Sequence, residues 1–180
     1  AEELGRFLAP VPFSSSVYLF TETIIKYGSD EMKKNLLPKL VSGDVIGTLA
    51  VTEDLFAPSK DNIKLSCESG KINGKKIAVP DASIATHALV IAKSEKGICL
   101  QVADLSHEGV SIEHQENIDE SRGHFSIAFN DVDTKTIGDE ISGWDIYESI
   151  INQAAVLFAY EQIGGSQASL DMAVNYAKER

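Results

Sequence analysis

Few residues of this 180-residue chain are spaced for chemistry, and the best placed are Thr52 and Glu53, which close the apolar run Val45 to Val51. A hydroxyl and a carboxylate at the end of an apolar strand can offer side-chain and backbone groups to a ligand. The four histidines, His87, His107, His114 and His124, lack the i, i+4 or paired spacing of a metal site and read as exposed loop residues. Cys67 and Cys99 are far apart, with no CxxC and no neighbouring His, so they read as two buried free thiols of a reducing cytosol. Asp131 and Asp133, in FNDVD, read as carboxylates of a strand-end turn. No Ser/His/Asp or Cys/His arrangement is evident.

The elements that must position Thr52 fall into three blocks. The first is helical. Glu2 to Leu8 carries helix formers and is broken by Pro10 and Pro12. Ser14 or Ser15 would cap a second helix, in which Val17, Phe20, Ile24 and Tyr27 form one buried face and Gly28 ends the run. Ser29 opens a third, with Leu36, Leu37 and Leu40 facing the core and Lys33, Lys34 and Lys39 facing water. The second block is β. Short strands are expected at Val45 to Val51, Ile63 to Glu68, Ile77 to Val79, Ala88 to Ala92, Ile98 to Ala103, Val110 to Glu113 and His124 to Phe129. ESGKINGKK supplies two glycine turns between them. Many short strands at this spacing predict an antiparallel barrel or sandwich. The third block, from about Ile141, returns to helical spacing at Ile146, Ile150, Ala154, Leu157 and Phe158. Gly164 and Gly165 within it predict close packing against another helix or a bend.

The bulk numbers agree with one soluble α+β chain, being 43% hydrophobic and 24% charged. A net charge of -11 weighs against a nucleic-acid surface, which relies on clustered Lys and Arg. No 18-residue apolar run predicts a membrane span, and AEELGRFLAP lacks the basic start and apolar core of a secretion signal, so a cytoplasmic location is expected. Both ends read as interrupted helices, which implies a longer native protein.

Four segments carry a family likeness. YGSDEMKKNLLPKLVSGDVIGTLAVTED resembles the stretch of acyl-CoA dehydrogenases where a helix with G-x-E-x-x-K-x-x-x-L-P-x-L-x-S-G leads into the middle domain. INGKKIAVPDASIATHALVIAK resembles the next hairpin, FNDVDTKTIGD the later F-x-D-V strand, and GSQASLDMAVNYAKER the first long carboxy-terminal helix. AEELGRFLAPVPF is also similar to a bacterial branch acting on steroid and other bulky acyl-CoA substrates. The resemblance implies three parts: residues 1-43 as the end of an amino-terminal helical domain, 44-140 as a middle antiparallel β-barrel, and 141-180 as the start of a helical bundle.

The resemblance further implies FAD between barrel and bundle, and an acyl-CoA substrate whose α-proton goes to a glutamate base while its β-hydrogen leaves as hydride to the flavin. The base and an arginine-bearing segment would lie beyond Arg180. Homo- or hetero-oligomers and an electron-transfer acceptor are the implied partners. Thr52 matches the threonine of the family's TEP motif, whose hydroxyl and amide face the flavin, and Leu49 and Val51 match neighbours lining it through backbone atoms. Glu53 is implied to be a structural hydrogen-bond partner. Where the family reads TEPGAGSD this chain reads TEDLFAPSK, with Pro58 at the usual serine position and Ser59 one residue later. Its W-I-T segment appears here as Ala78, Val79 and Pro80, and Ala155 stands near a position where many members carry arginine. Trp144, after Gly143, sits at a helix start. These departures leave open two alternatives: a non-catalytic dehydrogenase-like subunit, or an acyl-thioester binding module without flavin.

Overall fold

Pro10 and Pro12 stop the first helix, α1 (Glu2–Arg6), and the chain then enters a π-helix (Ser14–Thr21) that passes directly into α2 (Glu22–Tyr27). The computed structural model describes residues 1–119 and 121–180. Ser14 and Ser15 were expected as caps, but both are buried inside the π-helix, and Val17 is exposed while Tyr18, Leu19 and Phe20 are buried. The i→i+5 bonding is the reason: each turn takes up more residues than an α-helix, so the buried face slips off the three- and four-residue spacing. Gly28 does end α2, in an extended conformation, and a side chain there would strike the Ile24 carbonyl. The third helix, α3 (Asp30–Ser42), starts at Ser29, whose hydroxyl accepts from the Met32 amide at 3.2 Å, and ends at left-handed Gly43. Its Leu36, Leu37 and Leu40 pack on the core, as expected.

Seven strands follow: β1 (Gly47–Ala50), β2 (Ser66–Glu68), β3 (Lys71–Pro80), β4 (His87–Lys93), β5 (Ile98–Asp104), β6 (Val110–Gln115) and β7 (His124–Ile137). Five of them form a closed ring, β2-β3-β7-β5-β4, with β1 laid beside β4 and β6 beside β7. The expected α+β barrel is therefore present. Its ladders are mostly antiparallel, but β1 and β2 both join β4 in parallel, β1 opposite Gly47↔His87 to Ala50↔Val90 and β2 opposite Ser66↔Lys93. Residues 51–65 make this possible, because a long excursion between β1 and β2 lets the chain return in the same direction further along one edge.

Side-chain alternation divides the ring into two apolar layers. Ala88, Val90, Ala92, Cys99 and Ala103 point into the barrel, against Ile72 and Ile127. Leu89, Ile91, Leu100 and Val102 point outward beneath the helices, against Phe20, Ile24, Trp144 and Ile150. Both faces of β4 and β5 are covered, which explains their largely apolar sequences, interrupted in β5 by buried Gln101. Small residues inside and large ones outside suit a narrow barrel with a helical coat.

Three expectations from the sequence are corrected in the strands. Only Ser69 and Gly70 turn a hairpin; Gly74 lies within β3 and packs against Leu65. Asp131 and Asp133 lie inside β7, where Asp131 adopts φ 55° and pairs with Lys71 at 2.9 Å. Their positions mark an irregularity that the strand survives rather than a turn. Three histidines, His87, His114 and His124, are in strands and not loops, and both thiols are free and buried as expected.

The last element, α4 (Gly143–Glu179), is one unbroken helix of 37 residues. Its two central glycines do not interrupt it. A Cβ at Gly164 would lie 1.9 Å from the Glu2 carbonyl, so they admit α1 at backbone contact. Trp144 is buried at the helix start and donates its indole N–H to Glu148 Oε1 at 2.7 Å.

Candidate functional site

Thr52 follows β1 by two residues and lies beside β3. An irregularity in β3 makes that contact. Between Lys76↔Ile127 and Val79↔Phe125, β3 spends three residue steps where β7 spends two, and Ala78 takes φ 52°. Such a bulge turns backbone groups away from the regular ladder. Here the Ile77 amide donates to the Thr52 carbonyl at 2.8 Å, and the Ala78 amide to Gln115 Oε1 of β6 at 2.7 Å. Thr48 of β1 binds the Pro80 carbonyl at 2.6 Å, fixing the same two strands further along. The two segments singled out in the sequence, 49–52 and 78–80, are thus neighbours.

Leu49 is half-buried in β1 opposite Leu89 and packs on the outer apolar layer. Val51 is buried, and its carbonyl accepts from Lys76 Nζ at 2.9 Å. Thr52 is half-buried, its carbonyl is taken by Ile77, and its hydroxyl makes no hydrogen bond among the described residues. Ala78 is exposed. The edge therefore offers a hydroxyl with no hydrogen-bond partner among the described residues, on a fixed strand end near the small side chain of Ala78. A hydroxyl so placed can donate to a hydrogen-bonding ligand such as a flavin. Pro58 lies in the 51–65 excursion, away from regular structure, and Ala155 is on an exposed position of α4 beside buried Ala154.

Glu53 has a structural position. Its Oε1 accepts from Lys76 Nζ at 2.7 Å and the Leu65 amide at 3.0 Å, and its Oε2 from the Lys64 amide at 2.8 Å. Lys76 itself is fully buried, with no exposed side-chain surface. Burial pushes its ammonium down to about 8, against the opposing pull of Glu53. Sequence inspection did not single out Lys76. A signal was available: with β3 continuous through Gly74, residues 72, 74 and 76 share the inward face, and Ile72 marks that face as core.

A second polar cluster joins the π-helix to the barrel. Arg122 donates to Asp81 at 2.6 Å and to the Ser14 hydroxyl, while the Ser15 hydroxyl also donates to Asp81. Beside it lies a cavity of about 100 Å³ whose wall includes Leu4, Phe13, Arg122 and Glu161. Elsewhere, burial pushes the Cys67 thiol up to about 12, with the neighbouring Cys99 adding to the effect, so this thiol is held neutral and unreactive. Burial also pulls His87 below the ordinary histidine range. Among the described residues no group of three or more His, Cys, Asp or Glu could hold a metal ion, and no helix is long and apolar enough to cross a membrane.

Comparison with known proteins bears on this arrangement. The family model for the acyl-CoA dehydrogenase N-terminal domain matches residues 1–44. The human mitochondrial short-chain specific acyl-CoA dehydrogenase is 28% identical over 196 residues, covering 99% of this chain and 47% of that protein. Sequence similarity to acyl-CoA dehydrogenases therefore extends over 99% of this chain. Among solved structures, butyryl-CoA dehydrogenase from Megasphaera elsdenii superposes with a TM-score of 0.90 at 22% identity, over 99% of this chain and 51% of that one. A steroid ACAD superposes with a TM-score of 0.82 at 26% identity, over 99% and 48%. The chain spans about half the length of the curated relatives it matches. The barrel and its helical coat are thus the acyl-CoA dehydrogenase fold.

Proposed function

We propose that this chain forms the barrel side of an FAD site in an acyl-CoA dehydrogenase that introduces an α,β double bond into an acyl-CoA thioester. The observation that carries the reading is the unengaged Thr52 hydroxyl on a strand end held by Ile77 beside exposed Ala78. When bound, FAD would supply the hydride acceptor. The chain's own contribution is to bind and orient: the Thr52 hydroxyl donates to the flavin, Leu49 and Val51 form the strand behind it, and the outer helices exclude water. The base that removes the α-proton belongs beyond Arg180.

The same reading divides the chain into 1–43, the end of an amino-terminal helical domain, 44–140, the barrel, and 141–180, the start of a bundle. It also assigns as partners an acyl-CoA, other subunits of a homo- or hetero-oligomer and an electron-transfer acceptor. Likeness to a steroid ACAD, together with the similarity of AEELGRFLAPVPF to the branch acting on bulky acyl-CoA substrates, favours a bulky acyl group.

Full-length protein should purify with FAD and lose its flavin absorbance when a suitable acyl-CoA is added. Thr52→Val should weaken FAD by about tenfold, the loss of one hydrogen bond worth about 1.4 kcal/mol. A full-length protein with neither flavin absorbance nor reduction by any acyl-CoA in a panel would sink the reading. The aromatic-free segment Ala78 to Pro80 favours one alternative, a non-catalytic subunit. In that case flavin would appear only in mixed complexes with a catalytic paralogue.

A further inference from the structure

Five hydrogen bonds converge on the three residues that follow β1, and two of them come from one side chain. Lys76 Nζ donates to the Val51 carbonyl and to Glu53, Ile77 to the Thr52 carbonyl, and Lys64 and Leu65 to Glu53. The segment is outside regular secondary structure, and immediately beyond it Leu55 and Phe56 are fully or largely exposed. Nothing in the strand ladder holds it, so these bonds fix the exit of the strand before the exposed loop. We propose that Lys76 is a positioning residue, which ties Val51 to Glu53 from inside the barrel and so holds the Thr52 hydroxyl in place for a flavin. This rests on the flavin reading above.

Two physical points support a positioning role over simple core filling. A buried charge pair gives no more stability than an apolar replacement of equal volume, and frequently gives less. The barrel interior around Ile72 and Ile127 is mainly apolar, and its other large buried polar side chain, Gln101, is uncharged, so an ammonium here costs desolvation without a packing advantage. What an apolar side chain cannot do is bind a backbone carbonyl. The Val51 carbonyl lies at the last buried residue of the strand, one residue before Thr52. The charged or titratable groups facing the ammonium are the Glu53 carboxylate and the Cys99 thiol.

The test uses full-length protein in three forms: wild type, Lys76→Met, and the double variant Lys76→Met/Glu53→Gln. Lys76→Met leaves a buried carboxylate uncompensated and should lower Tm, and alone it could simply misfold. The double variant removes both charges and Gln keeps one acceptor oxygen, enough for one of the Lys64 and Leu65 amides, so Tm should recover most of the loss. If Lys76 positions the segment, the double variant will still exchange the Ile77 amide hydrogen, which donates to the Thr52 carbonyl, faster than wild type by about tenfold or more, and its FAD Kd will rise by about tenfold or more. A role confined to stability predicts that both recover together with Tm. The proposal requires both changes, and either one without the other overturns it. A wild-type protein that takes up no FAD overturns the flavin reading and with it the purpose assigned to the tether, whatever the exchange shows.

Discussion

Lys76 has a consequence for stability that does not depend on any ligand. Removing one member of a buried charge pair leaves the other uncompensated, so Lys76→Met should cost about 3–5 kcal/mol, far more than loss of any exposed ion pair such as Lys75–Glu113. The pH dependence has a definite sign. The folded ammonium titrates at about 8 and the unfolded one at its ordinary 10.5. Below 8 both states hold the proton and the desolvation penalty is fully present. Between these values the unfolded state binds more protons, so this group makes folding more favourable as pH rises. Urea midpoints of wild type and of the Lys76→Met/Glu53→Gln variant, compared at pH of about 7.5 and 10, should therefore diverge in favour of wild type at the higher pH. Parallel midpoints would mean that the ammonium is not held in a low-dielectric setting. Thr52 was legible in the sequence because an apolar strand ended there. Lys76 was not, because a charged residue next to Lys75 reads as solvated surface until β3 is known to run unbroken through Gly74.

The helices and strands differ in how openly the sequence declared them, and the difference is physical. Elements with unperturbed periods were readable: α3 from its leucine spacing and Ser29 cap, β4 and β5 from short apolar runs. Elements with an inserted residue were not. The π-helix moves its buried face away from Val17, and the bulges at Ala78 and Asp131 make single long strands look like several short ones. Packing of α1 on α4 lies between these cases, since the glycines were visible but their partner was not. The contact is reciprocal: a Cβ at Gly5 would meet the Glu161 carbonyl at 1.8 Å, and one at Gly164 the Glu2 carbonyl at 1.9 Å. Gly164→Ala gains about 1 kcal/mol of helix propensity but places a methyl against backbone that cannot yield, an overpacking cost of about 1–3 kcal/mol. The five-residue α1 is anchored otherwise by the half-exposed Arg6–Asp171 pair, worth at most about 1 kcal/mol. The variant should resolve the conflict by releasing α1: limited proteolysis between residues 6 and 12 speeds up while the global urea midpoint stays near wild type. Unchanged cleavage would show that α1 is held by something other than this glycine contact.

On the scale of the whole molecule, α4 is the longest element, and most of its second half is left uncovered. Its first turns are buried through Ile146, Ile150 and Ala154, but beyond them Val156, Tyr160, Ile163, Leu170 and Val174 are all exposed. Steps of four, three, seven and four residues place these five on one stripe of the helix. Isolated surface hydrophobics need no explanation, whereas a continuous stripe of this length marks a contact surface. The barrel cannot turn to cover it, because Trp144 and Ile150 already pin the start of α4 to β4 and β5 through the outer apolar layer. Acidic net charge opposes close approach of two copies, yet α4 carries few charges along the stripe itself, so apolar burial should win at moderate salt. The 180-residue chain is therefore expected to self-associate through this face, with a sedimentation coefficient that rises with concentration. Ile163→Lys with Leu170→Lys should shift it toward monomer without moving the far-ultraviolet helical signal, since neither side chain is buried in the fold. Salt provides the second arm of the experiment: association driven by the stripe strengthens as screening reduces the repulsion between the acidic copies, whereas association through ion pairs formed between copies would weaken.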